Sequence, residues 1–269
     1  MGIKIENTEI FGWKMAIAGC RNPMNSRDKS DSIFYTFMGS ASDLSDNYYG
    51  DEKDELPLPN WAVPFHKLGL NDEQMLMMTV PCLIGPADHK LLMNLCKGGT
   101  EEAKWRRMVH VQMDITAPLY WWKEFETYKV GTTSNSCSTM HKIHSKEFTL
   151  DDFSHEHLGF TIPAELNDGE EVYLNLWPVE LNKLIETLNI TRAHYERADP
   201  SLKKDYWWQM IQLLPTSYNQ RRTIDLNYEV LASQYRQRKE HKLDEWREYC
   251  EWIKTLPYSE FITTEEINA

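Results

Sequence analysis

TAPLYWWKEFETYKVGTTSNSCSTMHKIH, Thr116 to His144, is the stretch around which the rest of the chain is read. Its first half concentrates aromatic and charged side chains: Tyr120, Trp121, Trp122, Lys123, Glu124, Phe125, Glu126, Tyr128 and Lys129. Its second half changes to small hydroxyl residues, Thr132, Thr133, Ser134, Ser136, Ser138 and Thr139, with Asn135 and Cys137 among them. Pro118 suits a first helical turn, where its missing N–H is not needed. The pattern predicts a helix from there to about Val130, released into a loop at Gly131. Two readings of that loop are open. Its hydroxyls could hold a polyanion, since each one donates and accepts, or they could satisfy their own backbone after a buried helix.

On the C-terminal side, Trp177-Pro178-Val179-Glu180 starts a helix with the stripe Leu181, Leu184, Ile185 and Leu188. Pro200 opens another, which ends at Leu213-Leu214-Pro215. Thr223 to Asn227 then leads into one last long helix. Its stripe runs Val230, Leu231, Tyr235, Lys242 or Leu243, Trp246, Cys250 and Ile253, mostly in steps of three and four. Asn227 and Arg238 are eleven residues apart and share a face at about 100° per residue. Arg238 thus lies near the apolar stripe, and a guanidinium there needs an anionic partner, either a protein carboxylate or a ligand.

On the N-terminal side, a strand with Ile3, Ile5 and Ile10 precedes a short helix around Trp13–Cys20, followed by a polar turn at Arg21–Ser26. Residues 28–64 are rich in Ser, Asp, Asn and Pro and read as an inserted loop. Asn71 caps a further helix with the Met75–Val80 cluster behind it. Pro86 and Asp88 open another that stops at Gly98-Gly99. Alternation through Met108–Met113 predicts a strand. His89 and His110 read as structural histidines, and the His155-Glu156-His157 triplet lacks the surrounding ligands of a metal site.

Composition bounds the rest. At 269 residues, 41% hydrophobic and 26% charged, the chain is globular and long enough for one large domain or two small ones. A net charge of −12 argues against a nucleic-acid polymer or an anionic membrane as partner, while leaving room for a small anion at a local basic cluster. Five scattered cysteines without a CxxC argue against a zinc site or disulfide framework and fit a reducing, cytoplasmic setting. No apolar run approaches a membrane span.

Taken together, the order of these features resembles the flavin-dependent thymidylate synthase family. Phe125 to His141 sits where that family carries its RHRxxSxNExSxRY signature, at the end of a central helix. Leu214-Pro215 followed twelve positions later by Asn227 resembles its leucine–proline and asparagine pair. Leu231, Tyr235 and Arg238 follow as in its last long helix. The resemblance implies an α+β fold with a central, mostly antiparallel sheet and long helices. It implies FAD as cofactor, with NADPH and methylene-tetrahydrofolate as candidate co-substrates, and transfer of a one-carbon unit to C5 of a pyrimidine nucleotide. By it, Lys129, Thr132 and Asn227 would meet the flavin. Asn135, Ser138 and Arg238 would meet the nucleotide, with Arg238 in the catalytic role of polarising the base carbonyl. It also implies a single domain over 1–269 and a homotetramer with sites shared between subunits.

The departures define the alternative. Within the signature, Ser136 stands for the acidic residue and Met140 for the last arginine; Ile211 and Glu229 replace two further arginines. Each lost charge-assisted contact is worth about 1.5–3 kcal/mol, so Lys123, Arg21 or Arg236 would have to replace them. The alternative is a non-catalytic homologue that binds a nucleotide or a protein partner. A third reading is a helical interaction protein anchored by Trp121-Trp122 and Trp207-Trp208. Cys137 as a nucleophile has no base evident beside it.

Overall fold

The computed structural model describes residues 2–34, 82–159, 161–165 and 171–264. Strand β1 (Lys4–Phe11) turns through Gly12, at φ 101°, into helix α1 (Trp13–Arg21). A side chain at Gly12 would collide with the Met108 carbonyl, so glycine is needed both for the dihedral and for the close approach. Short strands β2 (Ile33–Phe34) and β3 (Cys82–Leu83) pair with each other. Then come α2 (Pro86–Lys97), with proline in its first turn, a 3-10 segment at Glu102–Met108, and β4 (His110–Pro118). Helix α3 (Leu119–Phe125), β5 (Thr133–Ser136) and α4 (Thr139–Lys142) follow. After a hairpin of β6 (Ile162–Glu165) and β7 (Glu171–Leu174), the chain forms α5 (Trp177–Arg197) and α6 (Pro200–Leu213). It closes with β8 (Asn219–Asn227), α7 (Tyr228–Arg238), α8 (Asp244–Thr255) and α9 (Glu260–Thr263).

The main sheet has the order β1-β4-β8-β5 and every pairing in it is antiparallel, the α+β arrangement expected. Alternation along β4 and β8 puts Val111, Met113, Ile115, Ala117, Ile224 and Leu226 on one buried face. The other face is polar. There the Asp114 carboxylate accepts from Thr223 Oγ1 at 2.5 Å and Asn7 Nδ2 at 2.9 Å, bonds that hold its carboxyl below the usual aspartate range.

Helices cover the apolar face and build an aromatic core. Trp121 lies 5.0 Å from Phe125 and 4.8 Å from Trp246, centroid to centroid, with Trp122 and Tyr249 closing the cluster. Such rings each bury about 150–250 Å², which is why α3, only seven residues long, is stable here. A second core of Ile143, Phe148, Phe153, Leu181, Leu188 and Met210 forms beneath the α5–α6 hairpin. Burial pushes the Cys82 thiol up to about 12, which makes it an inert packing residue.

Four expectations change. The helix predicted from Pro118 to about Val130 is only Leu119–Phe125, because Pro118 is still strand, paired with Asn219. The Thr127 hydroxyl closes the helix end by donating to the Glu124 carbonyl at 2.7 Å. The stretch predicted as a hydroxyl loop contains β5, held on the edge of β8 with Thr133 opposite Asp225 and Ser136 opposite Arg222. The single long helix predicted after Asn227 is two helices. Between them His241 N donates to the Arg238 carbonyl, Leu243 N to His241 Nδ1, and Arg247 to the carbonyls of His241 and Lys242. Asn227 is therefore a helix cap and not a residue on a helix face.

Of the predicted insertion 28–64, residues 28–34 are described. They hold the end of a 3-10 turn (Arg27–Lys29) and β2, tied down by Asp88. The rest of it, and the helix predicted at Asn71 with its Met75–Val80 cluster, lie outside the described residues.

Candidate functional site

The turn after α3 lies along α7 from one end to the other. At the N-terminal end, Gly131 (φ 76°) sits so close that an added Cβ would meet Asn227 Nδ2 at 3.0 Å and Val230 Cγ2 at 3.2 Å. At the C-terminal end, the Tyr128 hydroxyl donates to Gln237 Oε1 at 3.0 Å and accepts from Arg238 Nε at 2.9 Å. Lys129, Thr132, Asn227 and Arg238 are thereby placed on one strip, which spans about 16 Å of helix.

Each member of the strip is used differently by the fold. Asn227 Oδ1 accepts from the N–H groups of Glu229 and Val230, both at 3.1 Å, and caps α7. Its Nδ2 makes no hydrogen bond to a described residue. Thr132 Oγ1 is buried and has no partner among the described residues. Lys129 is exposed. The partner of Arg238 is a protein carboxylate: Nη1 meets Glu124 Oε2 at 2.7 Å. The guanidinium also lies over the Trp246 ring, 4.8 Å from its centroid.

Asn135 and Ser138 belong to a neighbouring strip. Asn135 is exposed on β5 opposite Thr223. Ser138 caps α4, its hydroxyl accepting from His141 N at 3.1 Å. Between them, the backbone of Cys137 is tied to β8 by the Arg221 carbonyl and the Gln220 amide, both at 2.9 Å. Arg222 braces this edge from below, bonded to Glu126 at 2.8 Å and stacked 4.4 Å from the Trp122 ring.

Two charge pairs went unread in the sequence. Glu229, in the first turn of α7, lies 3.5 Å from Arg106, a side chain 1% exposed whose Nε and Nη2 have no hydrogen-bond partner among the described residues. Arg21 Nε donates to Asp88 Oδ1 at 2.5 Å inside the core, so Arg21 is not available to replace a lost phosphate contact. Nothing local in the sequence hinted at either pair: Arg21 stands in what reads as a polar turn, and its burial is seen only in the structure. Among the described residues no cluster of histidine, cysteine and carboxylate side chains could hold a metal ion. No described helix is long and apolar enough to cross a membrane.

Comparison with solved structures gives this geometry a setting. The chain superposes on flavin-dependent thymidylate synthase ThyX from Helicobacter pylori, solved with FAD and dUMP, with a TM-score of 0.54 over 98% of both chains at 10% identity. The chain has the flavin-dependent thymidylate synthase fold. A second ThyX structure from that organism, also with FAD and dUMP, gives 0.51 over 98% of this chain and 100% of that one at 10% identity. The UMP/dUMP methylase PolB from Streptomyces cacaoi, bound with 5-Br dUMP, gives 0.51 over 97% and 94% at 11% identity. No sequence-family description matches the chain, and no curated protein matches it by sequence.

Proposed function

We propose that this chain is a divergent pyrimidine-nucleotide C5 methyltransferase of the flavin-dependent thymidylate synthase type, acting as one domain. One observation carries the reading: the Tyr128–Thr132 turn lies along α7 and lines up Lys129, Thr132, Asn227 and Arg238, in a chain that shares its fold end to end with proteins solved with FAD and dUMP. In this reading Arg238 donates to a base carbonyl and draws electron density from the ring, which makes C5 the better nucleophile. Asn135 and Ser138 bind the nucleotide.

The residues present suit a flavin. The Thr132 hydroxyl and Asn227 Nδ2, neither of them bonded to a described residue, and the exposed Lys129 ammonium would hold FAD, the last by charge against its phosphates. Bound FAD supplies the hydride, with methylene-tetrahydrofolate as carbon donor and NADPH as reductant. Asn135 and Ser138 stand on a strip separate from Arg238, which suits a site completed by a second copy; the homotetramer follows from the resemblance alone.

The test is the visible absorption spectrum of the purified chain after addition of FAD and desalting, followed by an assay with dUMP or UMP, reduced flavin and methylene-tetrahydrofolate. Retained flavin and a methylated base, both turnover and base binding lost in Arg238→Ala, are the expected results. A second reading, the non-catalytic homologue, is favoured by Glu229, an Arg106-paired carboxylate at the position where the resemblance expects a flavin-contacting arginine. Nucleotide binding with neither flavin retention nor product would select it.

A further inference from the structure

We propose that Glu124 is a positioning residue for the pyrimidine site, fixing the Arg238 guanidinium with Nη2 left as the donor to an incoming base carbonyl. The inference rests on the reading of Arg238 given above. Glu124 Oε2 accepts from Arg238 Nη1 at 2.7 Å and from Trp246 Nε1 at 3.2 Å, and His241 Nε2 lies 3.2 Å from the same oxygen. Arg238 Nε is taken by the Tyr128 hydroxyl, itself fixed by Gln237. The plane of the guanidinium is set by Trp246 and by the Tyr128 ring, 5.6 Å from its centroid. Two of its three donor groups are thus occupied, and Nη2 makes no hydrogen bond to a described residue.

A carboxylate beside a ligand-binding arginine could instead be a rival that the ligand must displace. The packing argues against that role. Glu124 sits on α3 between the fully buried Trp122 and Phe125, and its carboxylate is held from α7, from α8 and from the turn that joins them. Leaving would strand the Trp246 N–H as well as the arginine. An arginine ordered before the ligand arrives does not have to be ordered by it, and that gain appears as affinity.

The experiment titrates dUMP and UMP into the full chain and into Glu124→Ala, Glu124→Gln, Arg238→Ala and the Glu124→Ala/Arg238→Ala double variant, with thermal melts as a check on folding. The expected result is roughly tenfold weaker binding in Glu124→Ala, a smaller loss in Glu124→Gln, whose amide oxygen still accepts, and a double variant no worse than Arg238→Ala. In parallel, ¹⁵N spectra should resolve slowly rotating Arg238 Nη groups in the parent chain and merge them in Glu124→Ala. If Glu124→Ala does not fold, Glu124→Asp, one methylene short of Arg238, takes its place. Unchanged affinity in the Glu124 variants while Arg238→Ala abolishes binding would overturn the proposal, as would tighter binding, which would make Glu124 the rival. Absence of binding by the parent chain, with Arg238→Ala no different, would remove the reading of the site and the proposal with it.

Discussion

Two arginine–carboxylate pairs in this chain look alike on paper and are built for opposite ends. Arg21 and Asp88 lie inside the core. Asp88, 0% exposed, accepts from Arg21 Nε at 2.5 Å, from the Ser30 and Ser32 hydroxyls at 2.6 Å and from the Asp31 N–H at 3.2 Å. Both Asp88 oxygens are taken up by the fold, and the Arg21 and Asp88 side chains are only 7% and 0% exposed. Arg238 and Glu124 are partly open, with side-chain exposures of 17% and 36%, and a guanidinium nitrogen remains without a described partner. The difference teaches that an ion pair's role is legible in how deeply the fold buries it and how fully it saturates the carboxylate.

That contrast can be broken by measurement. Asp88→Ala leaves Arg21 buried without its carboxylate and should cost about 3–5 kcal/mol in urea denaturation. Burial raises the Asp88 carboxyl, but hydrogen bonds from Ser30, Ser32 and Arg21 and the arginine charge outweigh it, so the net shift is downward. A depressed folded-state value contributes stability that is present above the unfolded aspartate value of about 3.9 and is lost as pH falls through the folded value. The parent chain should therefore lose stability in that acid window, and Asp88→Asn should lose less across it. Arg238→Ala should cost only about 1–2 kcal/mol of folding free energy, since its carboxylate keeps two other partners and reaches solvent. A cost equal to that of Asp88→Ala would mean that Arg238 is as structural as Arg21. Asn227, whose Oδ1 is saturated and whose Nδ2 is open, lies between the two pairs. Its replacement by alanine should cost about 1 kcal/mol through loss of the α7 cap, read from the same denaturation curves. Thr132→Val deletes a hydroxyl that no described residue bonds. Its melting temperature should stay within an equivalent of about 0.5 kcal/mol, or rise, while flavin retention falls.

The sequence was legible wherever a local rule decided the outcome. Proline in the first turn and glycine beyond the end framed α2, and the Leu181–Leu188 stripe announced α5. It was not legible where a distant segment decided. Thr133-Ser134-Asn135-Ser136 has no apolar alternation, and it is a strand only because β8, some ninety residues away, offers an edge. The stripe from Leu231 to Ile253 lapses over the polar residues 236–242 and resumes in register at Leu243, so spacing alone joined two helices whose break is made where Arg247 and His241 cap main-chain groups. At the site, the need of Arg238 for an anion could be read from its place beside the stripe. The choice of Glu124, 114 residues earlier, could not.

The two hydrophobic cores have a consequence for hydrogen exchange. Ser138 and α4 are carried by the smaller core: Ile143 packs into it and Trp207 Nε1 donates to the Met140 carbonyl. Asn227 and Arg238 belong to α7, whose Tyr228, Val230 and Leu231 pack in the larger one. Cores of unequal size open with unequal free energies, so the amides of α5 and α6 should exchange faster than those of β4 and β8. On that count the Ser138 side of the site breathes on a clock of its own, and a nucleotide that reached both sides would slow the faster clock to the pace of the other.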